Sequence, residues 1–299
     1  MIAPTQLLSF TPVNRLTCAD SLSLMRSMPA RSVDTVIGSP PYPGKWKRYR
    51  LNNQGNWHEW FAQVLTEAGR ITRGWAFFVV NGSVKDGEYD CEVEEAVVAA
   101  KKLGCRFDRP LIWHKNSPPS RKDYFGNDWE FILAAKCSTG EPEFFDWESI
   151  AHPPKYTNGG RFRQRTANGE RRLGSQYPKN KLARPRDVLR VLVGGGHLGS
   201  KLAHENEAPF PENLVEPLIL TCCPRGGVVF DPFAGSATVP AVAILHGRNW
   251  IGCDVRQSQI DLGMRRIEEA ALRLAERSKA KQAELGVVGE KEVEASGNE

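Results

Sequence analysis

No apolar run in this chain approaches the roughly 20 residues that a membrane-crossing helix requires, so no membrane partner is expected. Met1 to Phe10 lacks the charged start and long apolar stretch of a secretion signal. Seven cysteines are scattered, and no Cys-x-x-Cys occurs. With that absence neither a zinc site nor a disulfide framework is indicated, and a reducing, cytoplasmic setting fits. Metal-ligand spacing is missing as well. His114, Asp123 and Asp128 match no common site, so no metal is expected. Val193-Gly194-Gly195-Gly196-His197 lacks the Gly-Lys-Ser/Thr ending of a phosphate-binding loop and reads as a flexible loop. There is no internal repeat.

What is present suits one large α/β unit with an insert, or two domains. Of 299 residues 40% are hydrophobic, enough for a sizeable core, and the formal net charge is +5. That mild excess permits a polyanionic partner without demanding one, so local clustering must decide. Strands are predicted at Arg15–Asp20, Val33–Gly38, Trp75–Val80, Arg109–Lys115, Trp129–Lys136, Gly227–Asp231 and Trp250–Asp254. Arg109–Lys115 and Trp129–Lys136 are expected to be antiparallel neighbours. Helices are predicted at Ser21–Met28, Trp57–Arg70, Glu92–Leu103, Leu214–Thr221, Thr238–His246 and Gln257–Leu285. Trp60, Phe61, Val64 and Leu65 share one face of the second, and Gly104 stops the third.

The most informative four residues are Ser39-Pro40-Pro41-Tyr42, directly after the strand ending at Gly38. Open α/β sheets bind ligands at that carboxyl edge. Two prolines fix two φ angles and remove two amide donors, so the turn is stiff and its carbonyls stay free to accept. Tyr42 adds a flat face. Stiff acceptors beside an aromatic plate suit a planar base with an exocyclic amino group. A second constellation follows the strand Gly227–Asp231: the turn Asp231-Pro232-Phe233-Ala234-Gly235-Ser236-Ala237, then a helix from Thr238, then a strand ending in Asp254. Small residues let backbone approach a ligand, a helix start offers amide donors, and an acid after the next strand commonly binds ribose hydroxyls. Between the two constellations the apolar periodicity fades. From Lys155 to Arg190 there are eleven basic residues and two acids, Glu170 and Asp187, with Tyr156, Phe162 and Tyr177 interleaved.

On these residues the chain resembles the permuted, beta-class DNA amino-methyltransferases that use S-adenosylmethionine. Ser39-Pro40-Pro41-Tyr42 is similar to their catalytic tetrad, and Asp231 to Ser236 to their cofactor loop. Val33 to Tyr42, preceded by Asp20, resembles their N-terminal signature. His204 with Ala208-Pro209-Phe210-Pro211 resembles the segment ahead of the cofactor loop. The likeness spans roughly residues 12–270, in the family's order of motifs. One residue departs: the loop usually carries a second glycine where this chain has Ala237, whose methyl a helical φ would accommodate.

The resemblance implies a doubly wound, Rossmann-like sheet, mostly parallel, with one antiparallel strand, for which Trp129–Lys136 is the candidate. It implies a catalytic half at 12–140, a target-recognition insert at 141–203 and a cofactor half at 204–285. An acidic tail at 286–299 is expected to be disordered. The catalytic residues would be Ser39, Pro40, Pro41 and Tyr42. S-adenosylmethionine would be held by Asp20, Phe210, Pro211, Asp231, Pro232, Phe233, Ala234, Gly235, Ser236, Thr238 and Asp254. Duplex DNA would be held by Lys45, Trp46, Lys47 and Arg48 beside the catalytic turn, and by Arg161, Arg163, Arg165, Arg171 and Arg172 in the insert, where Gly159 to Arg172 reads as a hairpin.

The implied reaction moves a methyl from a sulfonium to a base amine, after base flipping that costs a few kcal/mol. The Ser39 hydroxyl and Pro40 carbonyl would accept from the amine while Tyr42 stacks on the base. No Pro-Cys dipeptide occurs, which argues against methylation of a cytosine ring carbon. In the family a serine at the first tetrad position more often goes with cytosine N4, and an aspartate or asparagine with adenine N6. Cytosine N4 is therefore the expectation, with adenine N6 the alternative and a catalytically inactive DNA-binding homologue a further one. A restriction endonuclease acting separately and a homodimer are both compatible with the resemblance.

Overall fold

A computed structural model describes residues 13–45, 55–116, 125–154, 161–176, 182–194 and 196–296. In chain order the elements are β1 (Arg15–Cys18), α1 (Ser21–Ser27), β2 (Val33–Gly38), α2 (Trp57–Ile71), β3 (Thr72–Val80), β4 (Val84–Lys85), β5 (Glu88–Tyr89), α3 (Glu92–Lys102), β6 (Arg106–Phe107), β7 (Leu111–His114) and β8 (Trp129–Lys136). They continue with β9 (Arg161–Arg165), β10 (Arg171–Gln176), β11 (Val188–Arg190), α4 (Glu212–Cys222), β12 (Val228–Asp231), α5 (Thr238–Leu245), β13 (Asn249–Asp254) and α6 (Gln257–Ser296).

Local chemistry accounts for the main boundaries. Asp20 caps α1, its Oδ1 accepting from the Ser23 amide at 2.9 Å. Trp60, Phe61, Val64 and Leu65 are all buried along α2, as their helical spacing predicts. Gly104 ends α3 with a left-handed φ of 87°, which glycine adopts without strain. Among the described residues no helix is long and apolar enough to cross a membrane.

Nine strands form the central sheet, in the order β1-β13-β12-β2-β3-β8-β7-β11, with β6 also on β8. Every pair is parallel except those involving β8, which runs antiparallel to β3, β6 and β7. The predicted antiparallel strand is thus the observed one, at Trp129–Lys136. Helices α1, α2 and α3 cover one face of the sheet, around Met25, Phe61 and Phe78. Helices α4 and α5, with Ile267 of α6, cover the other.

Two expectations need correction. The stretch 141–203 is not wholly an insert: within it β11 pairs parallel with β7 and extends the central sheet. Three residues, with an arginine among them, carry no periodic signal. What stands off that sheet is the antiparallel hairpin β9–β10, where Arg165 pairs with Arg171. Nor does α6 stop at Leu285; it continues to Ser296. Lys291, Glu292, Glu294 and Ala295 all favour helix, which outweighs Gly286 and Gly289.

The strand order turns at β12 and β2, which lie side by side although they come from opposite ends of the chain. Asp34 of β2 fastens them, its Oδ2 accepting from the Val228 amide at 2.7 Å and its Oδ1 from Arg73 at 3.0 Å. Beyond the sheet, Arg266 of α6 is 1% exposed. It donates to the Ser236 and Thr238 hydroxyls at 3.1 and 2.7 Å and to Glu212 of α4 at 3.2 Å. Arg273 closes the group with two bonds to Glu212, at 3.0 and 2.9 Å. Burial alone would raise the Glu212 carboxyl, but the hydrogen bond from Arg273 and the charge of Arg266 hold it below its usual range.

Glu212→Gln should therefore destabilise the protein by about 3–5 kcal/mol, because it leaves the Arg266 charge buried with no carboxylate. Because Glu212 titrates lower when folded, its contribution is complete above the ordinary carboxyl range and vanishes as pH falls through the depressed value. Denaturant unfolding across the acid range should show a steeper acid loss in the wild type than in Glu212→Gln; parallel curves would exclude this role.

Candidate active site

The two constellations meet where β2 and β12 end. Gly38 makes this possible: a Cβ there would lie 3.1 Å from Pro232 Cδ and 3.2 Å from Asp231 Oδ1. Above the strand ends opens a cavity of about 480 Å³. Its wall includes Ser39, Pro40, Pro41 and Tyr42 on one side, and Phe233, Ala234, Gly235, Ser236 and Asp254 on the other. Asp20, Lys45, Phe210, Pro232 and Thr238 also line it. Two predicted residues stay outside: Pro211 caps the start of α4, and Asp231 is buried beneath the turn.

Each group of the turn Ser39–Tyr42 has a definite state. The Ser39 hydroxyl donates to the Val79 carbonyl at 3.0 Å, so its oxygen retains capacity to accept. Trp57 Nε1 donates to the Pro41 carbonyl at 2.7 Å, which anchors the turn to α2. Among the described residues no donor reaches the Pro40 carbonyl. Two acceptors, the Ser39 oxygen and the Pro40 carbonyl, are therefore available side by side. The Tyr42 hydroxyl donates to Glu130, and Lys115 donates to the same carboxylate. Burial, then the Glu130 charge, pushes the Tyr42 phenol well above its ordinary range, so it remains protonated.

The opposite wall is built by internal bonds. The Phe233 amide donates to Asp231 at 2.9 Å, Ala234 to the Cys253 carbonyl at 2.8 Å, and Gly235 to Asp254 Oδ2 at 3.1 Å. These three amides hold the turn, whereas the amide donors anticipated are those at the start of α5. Asp254 Oδ1 accepts from the Arg256 amide at 3.0 Å. Burial, opposed by the Phe233 amide and reinforced by the Asp254 charge, pushes the Asp231 carboxyl up to about 8.

Ala237 also differs from expectation. Its φ of 58° and ψ of 42° are left-handed, not helical. A methyl in that conformation costs about 1–2 kcal/mol relative to glycine. Gly263 of α6 leaves the space beside it, since a Cβ there would sit 3.2 Å from the Ala237 Cβ. The chain keeps the backbone of a glycine with an alanine in it.

Several cavity residues carry no sequence motif: Trp60, Lys115, Glu130, Asn206, Glu207 and Arg256. Glu130 had one visible signal, a lone acid in the otherwise apolar start of the strand Trp129–Ala135. No cysteine lines the cavity. Cys253, whose carbonyl accepts from the Ala234 amide, is fully buried, and burial followed by neighbouring acids raises its thiol well above the usual range. Among the proposed DNA contacts, Lys45 is exposed at the cavity and Arg165, Arg171 and Arg172 are exposed on the hairpin. Arg161 and Arg163 share its strand β9, and their side chains are outside the described set; Trp46, Lys47 and Arg48 lie outside the described residues altogether.

A cavity lined both by acids and by the neutral acceptors of Ser39 and Pro40 suits a cationic, nucleoside-bearing methyl donor beside a base amine. Asp20, Glu207 and Asp254 all line it. Known proteins agree with this geometry. Over 258 residues the chain is 27% identical to the type II methyltransferase M.ScaI of Streptomyces caespitosus, covering 84% of this chain and 80% of the relative. It is 26% identical over 288 residues to the DNA adenine methyltransferase YhdJ of Escherichia coli K12, covering 89% and 87%. In fold it is similar to the cytosine-N4-specific PvuII DNA methyltransferase, with a TM-score of 0.63 at 18% identity over 89% of this chain and 93% of that one. It also resembles a DNA modification methylase of Thermus thermophilus, solved with S-adenosyl-L-methionine, with a TM-score of 0.58 at 23% identity over 86% and 94%. A family model described as DNA methylase matches residues 33–265, most of the chain, and the protein belongs to that N6/N4 DNA methylase family.

Proposed function

We propose that this protein is an S-adenosylmethionine-dependent DNA methyltransferase that methylates the N4 amine of cytosine in duplex DNA, acting on a base flipped out of the helix. The observation that carries the reading is the pair of available acceptors, Ser39 Oγ and the Pro40 carbonyl, in one cavity with the Gly235 turn and Asp254. An amine nitrogen conjugated to a base ring is a poor nucleophile. Two acceptors on its N–H bonds draw it towards a tetrahedral shape and stabilise the positive charge that develops during transfer. Phe233, Ala234 and Gly235 offer the cofactor a close backbone surface, Asp254 an acceptor for its ribose, and Asp20 and Glu207 complementary charge.

The choice of cytosine rests on the serine at the head of the turn. Adenine N6 is the second reading, supported by the likeness to an adenine methyltransferase. Digestion of duplex DNA after incubation with labelled S-adenosylmethionine separates them. N4-methyldeoxycytidine is expected, N6-methyldeoxyadenosine would transfer the assignment to adenine, and no labelled nucleoside would overturn it.

The hairpin β9–β10 is the proposed DNA clamp. Arg165 stands directly opposite Arg171, and like charges so placed repel unless an anion lies between them. Replacing Arg165, Arg171 and Arg172 by glutamine should weaken binding and flatten the log–log salt dependence by about 0.9 for each phosphate no longer neutralised. An unchanged slope in a salt titration would remove the hairpin from the interface.

Two substitutions dissect the cavity. Ser39→Ala should abolish most transfer while leaving cofactor affinity intact, as read by single-turnover assay and calorimetry; wild-type turnover would clear Ser39 of this role. Asp254→Ala should weaken cofactor binding about tenfold or more, from a charge-assisted bond worth roughly 1.5–3 kcal/mol. An unaltered dissociation constant would take Asp254 out of the site.

A further inference from the structure

Tyr42 is the flat face against which a flipped base would lie, and the structure holds more of it than its backbone. Trp57 Nε1 donates to the preceding carbonyl, that of Pro41, at 2.7 Å, and the Lys45 amide donates to the Tyr42 carbonyl at 2.9 Å. With the chain held in this way, the freedom that matters for stacking is rotation of the ring about its long axis. That rotation turns the face without moving the hydroxyl oxygen, and it decides the plane of a stacked base.

A hydrogen bond from the hydroxyl opposes this rotation. The phenol oxygen is conjugated with the ring, so its O–H lies near the ring plane, and an acceptor in a fixed direction sets that plane. The acceptor is Glu130 Oε2. Glu130 is buried on β8, and its other oxygen, Oε1, accepts from the Lys115 ammonium. With each oxygen engaged by a different partner, the carboxylate is held against turning. Lys115 directly follows β7, and its amide donates to the Asp128 carbonyl at 2.6 Å. Its ammonium lies 5.6 Å from the centre of the Trp113 ring, and Trp113 pairs with Glu130 across β7 and β8. Lysine and glutamate are thus anchored on neighbouring strands, and all three side chains line the cavity.

Stability does not account for the arrangement. Taking two charges out of water is costly, and an apolar pair of similar volume in their place is commonly neutral or stabilising. Ile132 and Ala134, on the same face of β8 as Glu130, are buried, so a leucine at position 130 would continue the apolar pattern. What the charged pair supplies and an apolar pair lacks is direction. Resting on the amine-methylation reading above, we propose that Glu130 and Lys115 are positioning residues that set the plane of the Tyr42 ring. Through that plane they set the angle at which the base amine meets Ser39, Pro40 and the methyl donor. Neither touches the reacting atoms. Methyl transfer is an in-line displacement, so a base that binds in the wrong plane has its amine lone pair off the line of the breaking C–S bond. The effect therefore falls on the rate of transfer and not on binding.

Four variants test this. Tyr42→Phe keeps the ring and removes its hydroxyl. Glu130→Leu/Lys115→Met removes the acceptor and both charges, leaving no stranded ion. Glu130→Gln/Lys115→Met returns an acceptor to Tyr42 without either charge. The fourth combines Tyr42→Phe with Glu130→Leu/Lys115→Met. Single-turnover transfer from labelled S-adenosylmethionine to unmodified genomic duplex DNA would be measured at saturating concentrations, with cofactor and DNA dissociation constants in parallel. Tyr42→Phe and the Leu/Met pair should each lose about tenfold to a hundredfold in rate, the scale of a misplacement of about 1 Å, with both dissociation constants unchanged. The combination should lose no more than either alone, because both remove one constraint. The Gln/Met pair should recover most of the wild-type rate.

A wild-type rate in Tyr42→Phe or in the Leu/Met pair would overturn the proposal, as would losses that multiply in the combination. A Gln/Met pair as slow as the Leu/Met pair would also overturn it, by showing that charge and not direction matters. So would a rate loss matched by an equal loss of DNA affinity, the mark of a merely structural support. Tyr42→Phe leaves the Glu130–Lys115 pair in place and keeps the test decisive should the Leu/Met pair not fold. A wild type that labels adenine would revise the base, while the ratios of variant to wild type would still decide this role. A wild type that labels no DNA would overturn the methylation reading and this role with it.

Discussion

Everything in the site depends on the pairing of β2 with β12. These strands carry the two turns, and they are brought together from opposite ends of the chain. Loop closure over that span is entropically unfavourable, so the contact must be secured at both ends. Asp34 secures the start of the strands through the Val228 amide. Gly38 secures the end, because a Cβ there would press on the Pro232 ring at 3.1 Å and force it to shift. A side chain there would push the turn that carries Ser39 and Pro40 away from the wall that carries Asp254, and a misplacement of reacting groups by about 1 Å can cost about a hundredfold in rate.

Rigidity around the cavity comes from buried polar groups rather than from helix caps. Ser236 and Thr238 point their hydroxyls at Arg266, and Arg266 at Glu212. The turn after β12 is thereby tied to α4 and α6 at once. The left-handed Ala237 belongs to this arrangement, since its amide donates to the Ala234 carbonyl at 2.6 Å while α5 starts from its own carbonyl. On the other wall, Trp57 holds Pro41 and Glu130 holds Tyr42. On the turn Ser39–Tyr42, Val79 holds the Ser39 hydroxyl while the Pro40 carbonyl is left open among the described residues.

Much of this was legible because the site lies at sheet edges, where sequence patterns are strong. Apolar runs located β2, β3, β8, β12 and β13, and the residues at or just beyond the ends of β2, β12 and β13 include Ser39, Gly235 and Asp254. Period-two arginines located the hairpin β9–β10. Other features were hidden for physical reasons. β11 is three residues with an arginine among them, too short for any period to register. The handedness of Ala237 depends on how α6 packs beside it, through Gly263, and no local pattern encodes that. Tyr42 lies 88 residues from Glu130, and Lys115 meets it only through the pairing of β7 with β8, so its solitary charge was visible while its bonds to Tyr42 and Lys115 were not.

The central claim is that one cavity holds a base amine against the Ser39–Pro40 acceptors while the Gly235–Asp254 wall holds the methyl donor. The most direct measurement is a crystal structure of the protein with S-adenosylhomocysteine and duplex DNA. The account predicts an extrahelical base stacked on Tyr42, its amine within hydrogen-bond distance of Ser39 Oγ and the Pro40 carbonyl, and the ribose of the product on Asp254. A base remaining in the helix, or a product bound away from Asp254, would contradict it.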